Sequence, residues 1–310
     1  MATLYLTHDV CIEHDTGPGH PERPDRLRAI KMVTDQPDFD ALVREEAPMA
    51  DVSDIERAHP GDYIDSIRKA VPEEGLVRVD GDTVLSPKSW DAALRAVGSG
   101  IRAVDQVMAG DASNAFCAIR PCGHHAEQRV AMGFCVFNNI AIAGLHARAK
   151  HGAERIAVVD FDVHHGNGTQ AMFWEDQDLY FGSTHQMPLF PGTGAITETG
   201  VGNIWNAPMR AGDGGDVFKE AFESRILPRL LMHKPDLILI SAGFDAHERD
   251  PLGSLRLVEE DFAWATNKLI DIADKTCEGR VVSMLEGGYD LNGLANSVGA
   301  HVQALMKAGA

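Results

Sequence analysis

The stretch RIAVVDFDVHHGNGTQ, residues 155–170, indicates both the fold and the position of a candidate site. Its first half is a continuous run of apolar and β-branched residues, which is typical of a parallel strand buried on both faces. Its second half contains two aspartates, two adjacent histidines and two glycines. Because ligands bind beyond the carboxyl ends of the strands in open parallel sheets, the stretch predicts an α/β sheet with a polar site at its edge.

Further apolar runs have the same strand-like composition, at residues 3–9, 114–120, 179–184, 236–243 and 280–288. Helical patterns occur at residues 87–110, 137–152, 216–233, 258–275 and 292–309. Strands that alternate with helices predict an α/β fold: a single open, mostly parallel sheet with helices on both faces. No low-complexity linker, repeat or charge block divides the chain, so we predict one catalytic domain over residues 1–310.

Composition and charge limit the classes of partner. The 310 residues are 44% hydrophobic, which is enough for a large buried core. The 46 acidic and 28 basic residues give a formal net charge of -18, which disfavours direct nucleic-acid binding because that needs a basic surface. Negative potential would favour encounter with cationic substrates, although it also serves solubility alone.

The first residues and the cysteines predict the cellular location. The chain does not open with a basic segment and an apolar core, and no apolar run approaches the roughly 20 residues of a membrane helix. Five scattered cysteines without a C-x-x-C pair fit neither a disulfide framework nor a zinc finger. We therefore expect a soluble, cytoplasmic protein with no membrane partner.

Polar clusters follow predicted strands at residues 120–127, 160–168, 241–247 and 285–290 and should meet at one edge of the sheet. Asp160, Asp162 and His164 alternate along the chain, so their side chains share one face if the segment is extended. Asp162 and His164, with Asp245 from another strand, are then three candidate metal ligands. Three N/O ligands leave coordination positions open, as in a catalytic rather than a structural zinc site.

An isolated Asp-x-His pair is weak evidence for a metal, because a strand-end cap with a satisfied histidine has the same pattern. In this sequence other polar residues accompany the Asp-x-His pair. His124 and His125 follow one predicted strand and Tyr289 follows another, so acid, base and hydrogen-bond donor groups reach the same edge. Gly166 and Gly168 are expected to let the chain bend sharply before a helix. The combination predicts metal-assisted hydrolysis.

Seven motifs resemble those of the histone deacetylase superfamily: HPERPDRL (20–27), RPCGHHAE (120–127), GFCVFNN (133–139), VVDFDVHHGNGTQ (158–170), FPGTG (190–194), SAGFDAHERDPLG (241–253) and LEGGYDL (285–291). They occur in order over nearly the whole chain. The similarity is closest to the class II branch, which includes bacterial histone-deacetylase-like amidohydrolases and acetylpolyamine amidohydrolases. The resemblance implies the arginase/deacetylase fold and a zinc-dependent hydrolase that removes an acetyl group from an amine.

The resemblance also implies roles for individual residues. One catalytic Zn²⁺ would be bound by Asp162, His164 and Asp245. His124 would be held by Asp160. His125 would be held by Asn167, whose amide should raise the pKa of His125 less than a carboxylate would.

The resemblance also suggests a mechanism. His125 would take a proton from water and return one to the leaving amine, while His124 gives electrostatic support and Tyr289 a hydrogen bond to the oxyanion.

Three side chains match the acyl-chain channel of relatives: Phe134, Phe190 and Leu252. Without the family context the two aromatic residues would be ordinary core residues. Leu252 stands where one polyamine-selective branch has an acidic residue, which favours an acetylated lysine as substrate. The resemblance further implies structural K⁺ near Asp160, Asp162, His164 and Ser183.

Other functions are also compatible with parts of the pattern. Cys122, where relatives commonly have proline, suggests a cysteine nucleophile, which the metal triad makes unnecessary. A binuclear manganese ureohydrolase would need aspartates where Asn167 and His247 stand. A non-catalytic binder of acetyl-lysine or polyamine would not need the intact site. Acetylpolyamines and other small amides or esters stay open as substrates, because rim loops at about 15–25 and 72–86 would select among them. A homo-oligomer also stays open.

Overall fold

The computed structural model describes residues 2–309. These residues form the strands β1 (Thr3–Thr7), β2 (Val43–Glu46), β3 (Val77–Arg78), β4 (Val84–Leu85), β5 (Asn114–Cys117), β6 (Ile156–Asp160), β7 (Leu179–Gln186), β8 (Ile204–Met209), β9 (Leu237–Ala242) and β10 (Val281–Leu285). Eight of them form one sheet in the order β2-β1-β5-β10-β9-β6-β7-β8, and all its neighbouring strands run parallel. β3 and β4 form a separate antiparallel pair. The predicted open parallel sheet is confirmed.

The helices are α1 (Val10–Glu13), α2 (Asp25–Thr34), α3 (Val52–Ile55), α4 (Gly61–Ala70), α5 (Ser89–Ala109), α6 (Asn139–His151), α7 (Asn167–Phe173), α8 (Gly215–Ala221), α9 (Leu227–His233), α10 (Glu259–Thr276) and α11 (Leu291–Gly309). A π-helical turn at Phe222–Ile226 joins α8 to α9. The single helix predicted over residues 216–233 is therefore interrupted in its middle. A short 3₁₀ turn covers Pro37–Phe39.

Helices cover both faces of the sheet, which explains the continuous apolar runs. On β6, Ala157 and Val159 pack into one buried cluster, together with residues of α2, α10 and α11. Ile156 and Val158 pack into a second cluster, together with residues of α5 and α6. Successive side chains of a strand point to opposite faces, so both sets of positions must be apolar when both faces are buried.

The two edge strands, β2 and β8, escape prediction for physical reasons. β2 has the sequence VREE, and three of its four residues are exposed. β8 includes Pro208, which lacks a backbone N–H and is tolerated at an edge because only one side of the strand is paired. Neither strand therefore has the long apolar run that identifies the central strands.

The segment after β6 is bent, not extended. β6 ends at Asp160, so the prediction that Asp162 and His164 continue the strand is wrong. Asp160 accepts a hydrogen bond from the backbone N–H of Asp162 at 3.0 Å, and Asp162 accepts one from the N–H of His164 at 2.9 Å. Each aspartate thus bends the chain that follows it, as Asx turns do.

The chain turns sharply at Gly166, as predicted, where the backbone N–H of Asn167 donates to the carbonyl of His165 at 2.9 Å, and both glycines of this segment also allow close packing. Gly166 has a φ of -75°, and Gly168 lies within α7, so neither needs the left-handed region. A side chain on Gly166 would clash with the carboxylate of Asp160, and one on Gly168 with the carbonyl of Ala126. The glycines therefore allow α7 to start directly against the segment that contains the tandem histidines.

Candidate active site

Asp162, His164 and Asp245 meet beyond the carboxyl ends of β6 and β9, and all three are buried. His164 Nδ1 is 3.2 Å from Asp162 Oδ1 and 3.0 Å from Asp245 Oδ2. One ligand atom from each side chain lies within 4.8 Å of the others. The structure thus brings the three predicted metal ligands together, although the bent loop rather than strand alternation places two of them.

The charges of this cluster favour the binding of a cation. Burial disfavours a charged imidazole, but the hydrogen bonds and charges of Asp162 and Asp245 outweigh it and raise the pKa of His164 to about 10. Burial and repulsion from Asp162 raise the pKa of Asp245 to about 7. A divalent ion would displace the proton that these groups share and neutralise both carboxylates. Imidazole nitrogen and carboxylate oxygen are ligands that suit Zn²⁺, so the residues present fit the predicted metal.

The tandem histidines lie beside this cluster, and each contacts a different partner. His124 Nδ1 is 2.8 Å from Asp160 Oδ2. His125 Nδ1 is 2.9 Å from Asn167 Oδ1. The two rings are adjacent, with their centroids 4.0 Å apart. The structure therefore places both histidines next to the residues that the motif pattern assigned to them.

The orientation of the Asn167 amide fixes the tautomer of His125. Asn167 Nδ2 donates a hydrogen bond to Glu127 Oε1 at 2.9 Å, and an ionised carboxylate can only accept. The amide oxygen must therefore face His125, whose Nδ1 must bear the proton. The Nε2 lone pair of His125 is then free to act as a base.

The two histidines have opposite charge preferences. Burial opposes the charge on His124, but Asp160 and Asp162 outweigh it and hold its pKa well above the usual range. Burial and repulsion from His124 and His164 hold the pKa of His125 well below the usual range. At neutral pH the first imidazole is a cation and the second is neutral. A fixed positive charge therefore stands next to a competent base.

A cavity of about 280 Å³ leads from the surface to these groups. It is lined by the three predicted channel residues and by three predicted site residues: Phe134, Phe190, Leu252, His125, His164 and Tyr289. The rings of Phe190 and His125 meet edge to face, with centroids 5.1 Å apart. An extended side chain that enters between the two phenylalanines would reach the histidines with its end.

The two segments predicted as rim loops hold the channel residue Phe134. Phe134 has a φ of 68°, a strained conformation for a side chain of this size. Its backbone N–H donates to Thr83 Oγ1 at 3.1 Å, in the segment that contains β3 and β4. From the other rim segment, the ring of His20 contacts Phe134 edge to face at 4.8 Å. Changes in either segment would therefore move the channel wall.

Tyr289 is placed as a hydrogen-bond donor. Its backbone N–H donates to Asp250 Oδ2 at 2.6 Å, and the guanidinium of Arg26 lies 5.0 Å from the centre of its ring. Burial raises the pKa of the Tyr289 hydroxyl well above the usual range. The hydroxyl therefore keeps its proton and can donate it to a substrate oxygen in the cavity.

Three supporting residues were missed at the level of sequence. Glu286 Oε2 accepts hydrogen bonds from the backbone N–H groups of Gly123, at 2.7 Å, and His124, at 3.1 Å. Asp250 holds the backbone of Tyr289, and Arg26 donates to the carbonyl of Gly288 at 2.6 Å. The available signal was charge within or next to the motifs, because buried ionisable groups need partners.

The structure gives Cys122 no base. Its Sγ contacts Cys135 Sγ at 3.4 Å and the carbonyl of Gly133 at 3.9 Å, with no imidazole nitrogen among the hydrogen-bond partners found for it within residues 2–309. A nucleophile needs a base within hydrogen-bond reach, so the cysteine mechanism has no geometric support.

His247 lies outside the metal cluster, with Nε2 3.6 Å from Glu259 Oε2.

A parallel α/β sheet with a buried His/Asp cluster at its carboxyl edge defines a class of hydrolase with a candidate single-metal site. The model of the histone deacetylase domain matches residues 20–305. The chain is 37% identical to the histone deacetylase-like amidohydrolase of Pseudomonas aeruginosa, over 93% of this chain and 81% of that protein. It is also 37% identical to a probable deacetylase of Archaeoglobus fulgidus, over 94% and 83%.

The crystal structure of the HDA15 HD domain superposes with a TM-score of 0.94 at 32% identity and covers 99% of this chain and 88% of that one. The chain belongs to the histone deacetylase family, and this membership supports an enzyme that hydrolyses amides. In the part of the chain that the structure describes, the helices are too short or too polar to cross a bilayer.

Proposed function

We propose that the protein is a Zn²⁺-dependent deacetylase that acts on acetylated lysine side chains. The observation that supports it most is the cavity, whose aromatic walls lead to His125, His164 and Tyr289. A cavity of about 280 Å³ suits one thin acyl-amine chain, not a folded surface. Metal ligands, a base and a hydroxyl donor meet at its inner part from four different strand ends, as hydrolysis requires.

The metal would be held by Asp162, His164 and Asp245. Zn²⁺ bound there would polarise an acyl carbonyl and lower the pKa of a water molecule. His125 is neutral and has its Nε2 free, so it accepts the proton of the attacking water. His124 is positively charged through Asp160 and stabilises the negative charge that develops nearby.

Two further steps complete the cycle. Tyr289 donates its hydroxyl hydrogen to the developing oxyanion, and its backbone contact with Asp250 keeps it at the cavity. His125 then returns the proton to the amine nitrogen as the amide bond breaks, which releases the amine and the carboxylic acid.

We also propose structural K⁺ at the residues that the family resemblance indicates: Asp160, Asp162, His164 and Ser183.

The choice of substrate rests on the channel. Leu252 contributes an apolar wall, which suits the methylene chain of a lysine better than a second cationic nitrogen of an acetylpolyamine. The net charge of -18 favours lysine-rich, cationic protein partners over nucleic acid.

Five free cysteines agree with the predicted cytoplasmic location. That location, the lack of membrane partners and a homo-oligomeric state stay predictions.

Steady-state kinetics with the Zn²⁺-loaded protein would test the proposal on an acetyl-lysine peptide, an acetylpolyamine and a small ester. We expect the highest kcat/KM on the peptide and loss of turnover on chelation. Tyr289→Phe should lower kcat by about 10²–10³-fold, because one oxyanion donor is removed. Tyr5→Phe, the same substitution at a buried tyrosine outside the site, is the matched control. Binding of the peptide without turnover would instead identify a non-catalytic binder.

A further inference from the structure

A second group of metal-ligating side chains lies between helices α5 and α6. Asp105 belongs to α5, while His146 and His151 belong to α6. His146 Nε2 is 2.7 Å and His151 Nε2 is 2.6 Å from the same Oδ1 atom of Asp105. Both helices end just before a strand begins, so the group lies toward the amino edge of the sheet, opposite the candidate active site.

We propose that Asp105, His146 and His151 form a second binding site for a divalent transition-metal ion, with Zn²⁺ as the reference ion. One ligand atom from each side chain lies within 4.8 Å of the others, as in the candidate catalytic cluster. Two imidazoles and a carboxylate are ligands that zinc, nickel and copper ions share. Because the two helices are adjacent in space, an ion held here would link α5 to α6.

The site is accessible, which distinguishes it from the buried cluster at the strand ends. The side chains of Asp105 and His151 are 40% and 24% exposed, whereas that of His146 is 6% exposed. An ion can therefore enter from solvent, and water can complete its coordination shell. Asp105 and His151 are partly exposed and can also move apart by the roughly 0.7 Å that separates a hydrogen-bond contact from two ligand atoms on one tetrahedral ion.

Nearby basic side chains do not compete for the carboxylate. Arg102, one turn before Asp105 on α5, is 2.8 Å from Glu45 Oε2. Arg148 on α6 forms an ion pair with Asp176 at 2.6 Å. Both arginines thus have acidic partners of their own, which leaves the Asp105 carboxylate to the two histidines.

The affinity should be moderate. A ligating histidine usually donates its second N–H to a fixed partner, and loss of such a partner lowers metal affinity by roughly 10–100-fold. His146 Nδ1 is buried and has no hydrogen-bond partner among residues 2–309. We therefore expect the site to fill after the candidate catalytic site as free Zn²⁺ rises.

Zn²⁺ titration of the full-length, chelator-stripped protein without a histidine tag would test this inference. A chromophoric competing chelator reports the equivalents bound. We expect two equivalents for the wild type, one for His151→Ala and one for Asp245→Asn, which loses the other site. The double variant should bind none. Lys150→Ala, an exposed change on the same turn of α6, is the matched control and should bind two.

The outcomes separate this inference from the proposed function, on which it does not depend. Equal numbers of equivalents in the wild type and in His151→Ala would overturn the second site. A single equivalent that His151→Ala removes and Asp245→Asn retains would support the second site and contradict the catalytic one. As a readout independent of stoichiometry, Zn²⁺ should raise the Tm of Asp245→Asn but not that of Asp245→Asn combined with Asp105→Asn.

Discussion

The two adjacent imidazoles differ mainly in the partner of one nitrogen. His124 faces the carboxylate of Asp160 at 2.8 Å, and His125 faces the amide of Asn167 at 2.9 Å. Both rings are buried, and burial alone would make both neutral. The carboxylate keeps the first one charged, whereas the amide fixes the tautomer of the second without charging it. The carboxylate of Asp160, together with that of Asp162, therefore favours the cation at His124, whereas the amide beside His125 leaves that ring to act as a base.

Removal of each imidazole would test this division most strongly. His125→Ala should lower kcat by about 10²–10⁴-fold, because it deletes the proposed base. His124→Ala should cost less, since a stabilising charge is lost while the proton acceptor remains. The measurement is kcat for both variants at saturating substrate, with bound Zn²⁺ quantified. A larger loss in His124→Ala than in His125→Ala would reverse the assignment.

The charge on His124 can be removed without removing the ring. Asp160→Asn keeps an acceptor of similar shape but takes away the carboxylate, so the pKa of His124 should fall. We expect kcat to fall by about 10–100-fold, as for other partners that position site residues. Turnover and the NMR titration of the His124 ring should change together. An uncharged His124 with unchanged kcat would contradict its electrostatic role.

The sequence allowed prediction of the strand ends and of the chemistry at them, but not of how the loop brings the groups together. Central strands such as β6 were predictable, because both faces are buried and the apolar run is continuous. Asp162 and His164 were predicted to lie together because strand side chains alternate, but this reason was wrong. Asx turns position the two residues instead. Glu286, Asp250 and Arg26 were not predicted as site residues, because contacts between distant segments leave no periodic signal.

The opposite exchange, Asn167→Asp, would make the second histidine resemble the first. A carboxylate beside Nδ1 should raise the pKa of His125, by about 1–2 units. A base acts only when neutral, so the acidic limb of the kcat–pH profile should move to higher pH by the same amount, with activity largely recovered above it. Asn296→Asp, an exposed substitution of equal charge, is the control. An unmoved limb would show that His125 is not the titrating base.

The smallest effect is expected one contact further out, at Glu127. This carboxylate accepts from Asn167 Nδ2 at 2.9 Å and so keeps the amide oxygen toward His125. In Glu127→Ala the amide can rotate, and a fraction of molecules then presents an N–H to His125 Nδ1, which favours the tautomer that has no free Nε2 lone pair. We expect a several-fold fall in kcat with little change in KM, because the ring and the cavity are intact. Glu127→Gln retains an acceptor oxygen and should restore most of the lost turnover. If both variants were equally impaired, the effect would come from the charge of Glu127 and not from the orientation of the amide.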